Sequence, residues 1–113
     1  MKKTFGNILK ELRRSREISQ RDLANKIGVD FSYISKVEND RLPPPAADTI
    51  VKISKVLNVP TEILLAESGK VSSNITGLIG SSQEAIKFML EASNMKLTDD
   101  DWKNLTNKLK KLR

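Results

Sequence analysis

Apolar residues recur along this chain at helical intervals. Phe5, Ile8, Leu9 and Leu12 mark one stripe over about residues 4–17, while Lys10, Arg13, Arg14 and Arg16 fall largely on other faces. Leu23, Ala24 and Ile27 share one face of a second helix that Ser19 can N-cap and Gly28 can end. Asp30 can cap a third helix, buried through Ile34 and Val37 and closing near Asn39. Pro43, Pro44 and Pro45 then forbid helix and favour a stiff extended connector. About residues 47–57 fit a fourth helix burying Ile50, Ile53, Val56 and Leu57, and Asn58-Val59-Pro60-Thr61 breaks it before a short fifth carrying Ile63, Leu64 and Leu65. The pattern predicts an all-α fold whose first unit has five helices.

The composition shifts across residues 67–73, which divides the chain into a domain at residues 1–68 and a helical segment at residues 69–113. A short helical turn is predicted over about residues 74–79, closed by Gly80. Ser81 or Ser82 then caps a helix to about Ser93, in which Ala85, Ile86, Phe88, Met89, Leu90 and Ala92 spread apolar surface over more than half the circumference. Thr98 and the carboxylates Asp99, Asp100 and Asp101 open a last helix with the stripe Trp102, Leu105, Leu109 and Leu112. Lys108, Lys110, Lys111 and Arg113 lie at its other end, so both ends match the macrodipole. A segment of roughly 45 residues lies near the size below which a domain rarely stabilises itself. Its long helices therefore need either the first unit or a second copy of the chain. A second copy is favoured, with Ile86, Met89, Leu90, Trp102, Leu105 and Leu109 as the dimerisation residues.

Composition narrows the chemistry. Twenty Lys and Arg against 14 Asp and Glu leave a net charge of +6 in 113 residues, which favours a polyanion, either nucleic acid or an anionic membrane surface. With no Cys and no His, disulfides, thiolate or imidazole metal sites, thiol nucleophiles and imidazole acid/base catalysis are excluded. No enzyme, cofactor or metal is expected, since helix capping accounts for the Asp99–Asp101 cluster. No apolar run approaches the ~20 residues that span a bilayer. Met1-Lys2-Lys3-Thr4-Phe5 leads into a mixed polar helix rather than a signal-peptide core. The expected location is the cytoplasm. The basic last turn could suit a membrane surface, but acids share its polar face, and no membrane partner is expected.

The second and third helices, joined at Gly28 with Ala24 small where they must cross, form a helix-turn-helix. Such a corner leaves one face of the helix from Phe31 to Asn39 free to enter the major groove of double-stranded DNA. With Ile34 and Val37 turned inward, about 100° per residue sends Ser32, Ser35, Lys36 and Asn39 outward, with Phe31 at the helix start. Lys36 can donate to guanine, and Ser32 and Ser35 can pair with several base edges. Phe31 either packs on a thymine methyl or plugs the gap between helices. Gln20 opens the second helix, where N–H groups and its amide can meet a phosphate. Asn39 and Arg41 could grip the flanking backbone. Tyr33 either offers its hydroxyl to a phosphate or shields the core, and Arg21 and Lys26 are basic surface within reach of one.

Residues 5–66 resemble the Cro/lambda-repressor type of helix-turn-helix, the XRE family of bacterial and phage regulators. Ser19-Gln20, Leu23-Ala24, Gly28, Ile34-Ser35 and Val37-Glu38-Asn39 carry the resemblance, together with a fourth helix and Leu64-Leu65. It implies a five-helix fold, two-fold dimers on near-palindromic operators and transcriptional control, usually repression. It also implies that Arg13 pairs with Glu38 as a structural brace. Asp40 stands where the family usually has Gly, so that turn is expected to differ slightly. The proline run and the Ser68-Gly69-Lys70 boundary resemble a subgroup with a dimerising helical tail, some of whose members are cleaved by a partner metallopeptidase. The alternative to a plain homodimeric repressor is an antitoxin-like or mobile-element regulator whose C-terminal helices bind another protein.

Overall fold

The computed structural model describes residues 3–113, and eight α-helices account for most of them. They are α1 (Phe5–Ser15), α2 (Gln20–Ile27), α3 (Phe31–Glu38), α4 (Ala47–Leu57), α5 (Thr61–Glu67), α6 (Ser73–Gly80), α7 (Gln83–Met95) and α8 (Asp99–Lys110). The fold is all-α. Two compact units divide between Ser72 and Ser73, four residues beyond the composition boundary expected at 68/69. The C-terminal closure of α5 explains the difference. Lys70 N–H donates to Leu65 O at 2.8 Å across Gly69, which sits at φ +84°, so Gly69 and Lys70 remain tied to α5.

The same closure ends every helix of the first unit. A residue in the left-handed region follows each of α1 to α5, and the next N–H reaches back to a carbonyl in the last turn, the Schellman arrangement. Gly28 and Gly69 take that conformation freely, whereas Glu17, Asp40 and Asn58 adopt it with side chains. The residues just beyond three of these turns, Ile18, Val29 and Val59, pack against the core and repay part of the strain. Phe5, Leu9, Leu23, Ala24, Ile27, Ile34, Val37, Ile50, Ile53, Leu57, Leu64 and Leu65 form that core. Val56, expected inside, is half-buried at its edge, as is Leu12, and Ile8 is half-buried outside the cluster.

Caps differ in detail from expectation. Thr4, Ser19, Ser82 and Thr98 accept from the backbone as N-caps, which resolves the choice between Ser81 and Ser82. Asp30 holds the N-cap position of α3 but makes no side-chain cap; its carboxylate accepts the Ser32 hydroxyl at 3.0 Å instead. At α8 the capping box is complete, and the backbone N–H of Thr98 followed by its hydroxyl contact holds the Asp101 carboxyl below the usual range. Among the described residues of α6, α7 and α8 only Ala92 is buried, while Leu78, Leu90, Leu109 and Leu112 are well exposed.

α1 meets the end of α3 closely at Gly6, against backbone carbonyls and the Asp40 carboxylate. A Cβ added at Gly6 would press on Val37 O and stand 2.5 Å from an Asp40 carboxylate oxygen and 2.8 Å from Glu38 O. The Thr4 hydroxyl donates to the other Asp40 oxygen at 2.9 Å. Gly6→Ala should therefore cost about 1–3 kcal/mol by overpacking. Gly77→Ala, with nothing within 4 Å of the new methyl, should be neutral or gain up to about 1 kcal/mol of helix propensity. Urea unfolding followed by far-ultraviolet circular dichroism compares them, and equal midpoints would refute the close approach.

Candidate nucleic-acid interface

The orientation of α3 decides everything outside it. Ile34 and Val37 are 0% and 1% exposed, so the turn fixes Ser32, Lys36 and Asn39 on the solvent side, with Ser35 half-buried beside them. Ala24 is small and buried where α2 carries α3, and Gly28 at φ +77° makes the corner between them. An added Cβ at Gly28 would meet nothing, so its conformation rather than its size calls for glycine.

Glu38, the last residue of α3, is 1% exposed and still carries a carboxylate. Arg13 of α1 grips it with two donors, Nε to one oxygen at 2.7 Å and Nη2 to the other at 2.9 Å. The remaining Arg13 nitrogen, Nη1, donates to Ile18 O at 2.9 Å, and the Gln20 amide adds a third donor to Glu38 at 2.9 Å. Hydrogen bonding to Glu38 and the charge of its carboxylate raise the Arg13 pKa further, against the cost of burial. Among the described residues no buried side-chain nitrogen or oxygen lacks a partner. Gln20, expected to present its amide to a phosphate, gives one amide N–H to Glu38 and still lines a cleft beside α3.

An open cleft of about 530 Å3 runs between α1, the start of α2 and the outer side of α3. Gln20, Arg21, Phe31, Ser35 and Asn39 line it with Ser19, and α1 contributes Lys10, Arg13 and Arg14. Lys10 and Arg14 were not singled out in the sequence, although their four-residue spacing beside Arg13 puts them on one face of α1. Phe31 is neither a plug nor free: it lies outside the core cluster, 37% exposed, with the Arg21 guanidinium 4.6 Å from its ring centre. The Asn39 amide reaches toward the Ser35 hydroxyl at 3.5 Å. Ser32, Lys36 and Arg41 are exposed but stand outside this cleft. Tyr33 is half-buried against the core, and burial pushes its hydroxyl pKa up, which is the shielding alternative. Asp40 keeps, at φ +60°, the left-handed turn that a glycine would make.

The helix-turn-helix family profile matches residues 9–64. The chain belongs to the XRE-type helix-turn-helix family. RghRB of Bacillus subtilis (strain 168), an HTH-type transcriptional regulator, is 41% identical over 69 residues, which take in 61% of this chain and 50% of RghRB. The chain thus spans about half the length of that relative. The crystal structure of SinR, a master regulator for biofilm formation, in complex with DNA matches with TM-score 0.51 at 34% identity, covering 55% of this chain and 98% of that one. A chain of the SinR/SinI protein complex matches with TM-score 0.52 at 27% identity over 82% of this chain and 97% of its own length. In helix-turn-helix terms α3 is the second helix of the motif, and the cleft flanks its outer face. Among the described residues no helix is long and apolar enough to cross a membrane.

Because Glu38 has no access to water, Arg13→Ala should cost about 3–5 kcal/mol by leaving a buried carboxylate unpaired, with a comparable loss for Glu38→Ala. The double variant should fall short of the summed losses by about 1–3 kcal/mol. Denaturant titration of the four forms measures this coupling, and strict additivity would show that the two side chains do not act together.

Proposed function

We propose that this chain is a sequence-specific regulator of transcription that binds double-stranded DNA, acting as a homodimeric repressor on a near-palindromic operator in the cytoplasm. Family membership and the exposed outer face of α3 beside a cleft walled by Lys10, Arg14 and Arg21 support the reading. The face of α3 carries it, because Ile34 and Val37 point inward and leave Ser32, Lys36 and Asn39 to the groove. Lys36 would donate to a guanine edge and Ser32 and Ser35 would meet neighbouring bases. Lys10, Arg14, Arg21 and Arg41 would neutralise backbone phosphates, so affinity should fall steeply with salt. The role is regulatory rather than catalytic, in keeping with the names its relatives carry.

Residues 73–113 would hold the dimer. Phe88, Trp102, Leu105, Leu109 and Leu112 line an open, mostly apolar groove of about 420 Å3, and Ile86, Met89 and Leu90 are exposed on α7. A second reading keeps the DNA-binding unit and gives this groove to another protein. It is favoured by the match to a chain of the SinR/SinI complex, which extends over 82% of this chain and so beyond the DNA-binding unit.

Selection from random duplex DNA should return a two-fold symmetric site with half-sites ~34 Å apart. Lys36→Ala should then lose about 1–3 kcal/mol on that site and relax the preference at one base pair of each half. Enrichment of no sequence would end the DNA reading. Removing residues 73–113 should leave the first unit folded, convert dimer to monomer in sedimentation and weaken operator binding. A truncated chain that still sediments as a dimer would put the interface elsewhere.

A further inference from the structure

The contact between Arg21 and Phe31 joins the two ends of the motif that lie nearest DNA on the reading above. Arg21 is the second residue of α2 and Phe31 the first of α3, and the guanidinium carbon stands 4.6 Å from the ring centre. This is the range in which a cation is held by the negative face of an aromatic ring. Phe31 lies outside the core cluster and is 37% exposed, so the interior does not enclose it. Arg21 stacks over one face of the ring, and part of the ring remains open to a partner.

The neighbouring side chain sharpens the point. The hydroxyl hydrogen of Ser32 is given to the Asp30 carboxylate at 3.0 Å. At the start of α3 Ser32 therefore offers a base edge its oxygen as an acceptor, and its donor is engaged locally. The large surface that remains there is an aromatic one, and it cannot read hydrogen-bonding groups. In the major groove the matching apolar feature is the 5-methyl group of thymine.

We propose that Arg21 is a positioning residue for Phe31: stacked on one face of the ring, it holds the remainder against a thymine methyl, so that one position in each half-site is selected by its methyl group. The inference rests on the DNA-binding reading. It gives Arg21 a part in sequence preference as well as in charge neutralisation. It also makes the two residues one unit, since a ring without the cation is free to turn away from the methyl.

The test uses the full chain and a duplex obtained by selection, with each thymine replaced singly by deoxyuridine, which removes the methyl and leaves the pairing edge unchanged. One position per half-site should weaken binding roughly fourfold, the value of one buried methyl-sized group. Phe31→Ala should bind the thymine and deoxyuridine duplexes equally. Arg21→Gln should move their ratio toward one, and Arg21→Lys, which keeps a cation for the ring, should restore part of it. Both residues lie at the surface, and circular dichroism confirms that each variant is folded. If Arg21→Gln lowers the salt slope by about one and leaves the thymine-to-deoxyuridine ratio intact, Arg21 is a phosphate contact only and the proposal is overturned. A wild-type chain that selects a site but ignores every methyl overturns it equally. A chain that selects no site overturns the DNA-binding reading and this inference with it.

Discussion

A carboxylate survives inside this small core because three donors close on it, and the geometry of that closure orients the motif. Arg13 brings α1, Gln20 brings the start of α2, and Glu38 is the last residue of α3. An ion pair so placed contributes little net stability, since two charges had to leave water to form it. What it contributes is a single arrangement. The guanidinium is planar and its donors are fixed in a fork, so α3 cannot roll about its axis without breaking both bonds to Glu38. An apolar pair of equal volume would fill the space with no directional bond of this kind.

The second attachment lies a turn away and works by proximity of backbones. Gly6 lets the first turn of α1 reach the last carbonyls of α3, where the positive end of one helix dipole faces the negative end of the other. Asp40 sits in that seam with its carboxylate bonded to Thr4. The C-terminal half of α3 is thus held from two points on α1. Its N-terminal turn is anchored on the inner side, through Tyr33 and Ile34, while outside Asp30 makes no side-chain cap and Phe31 leans on Arg21 at the surface. A buried inner face and surface contacts outside it suit a helix whose first residues must meet a partner while its angle stays fixed.

Helical periodicity made most of the fold legible, because Ile34 and Val37, or Ile50, Ile53 and Leu57, repeat on one face and have no other use. Ser19, Gly28 and Thr98 were readable as helix punctuation for the same local reasons. What periodicity could not carry was the meeting of residues distant in sequence. Glu38 is buried although its type predicts exposure, and only the family resemblance pointed to Arg13 as its partner. Lys10 and Arg14 looked like ordinary solvated charges, since nothing local says that the cleft opens beside them. That the Gln20 amide also serves Glu38, 2.9 Å away, is a contact between helices that no local pattern announces. Asp40 was read as a departure from a glycine turn, yet it takes the same backbone conformation, supported at the surface by Thr4 from the start of α1. The placement of the Phe31 ring was open in the sequence because a ring at a helix start can turn either way, and the cation stacked on it belongs to another helix.

The two units solve the burial problem differently, and this bears on how the proposed activity would be controlled. Residues of the first unit close a core on themselves, so its fold does not depend on concentration. The helices of the second leave Leu78, Phe88, Leu90, Leu109 and Leu112 largely in water, which is apolar surface awaiting a complement. If that complement is a second copy, two DNA-binding units are joined, and the second engages its half-site at a raised effective concentration rather than from solution. Operator occupancy then varies with the state of a surface that never touches DNA. A different protein that covers the same groove would dissolve the dimer by mass action while leaving α3, its brace and its charge untouched. Control would pass through association alone, and the helix-turn-helix would need no second conformation.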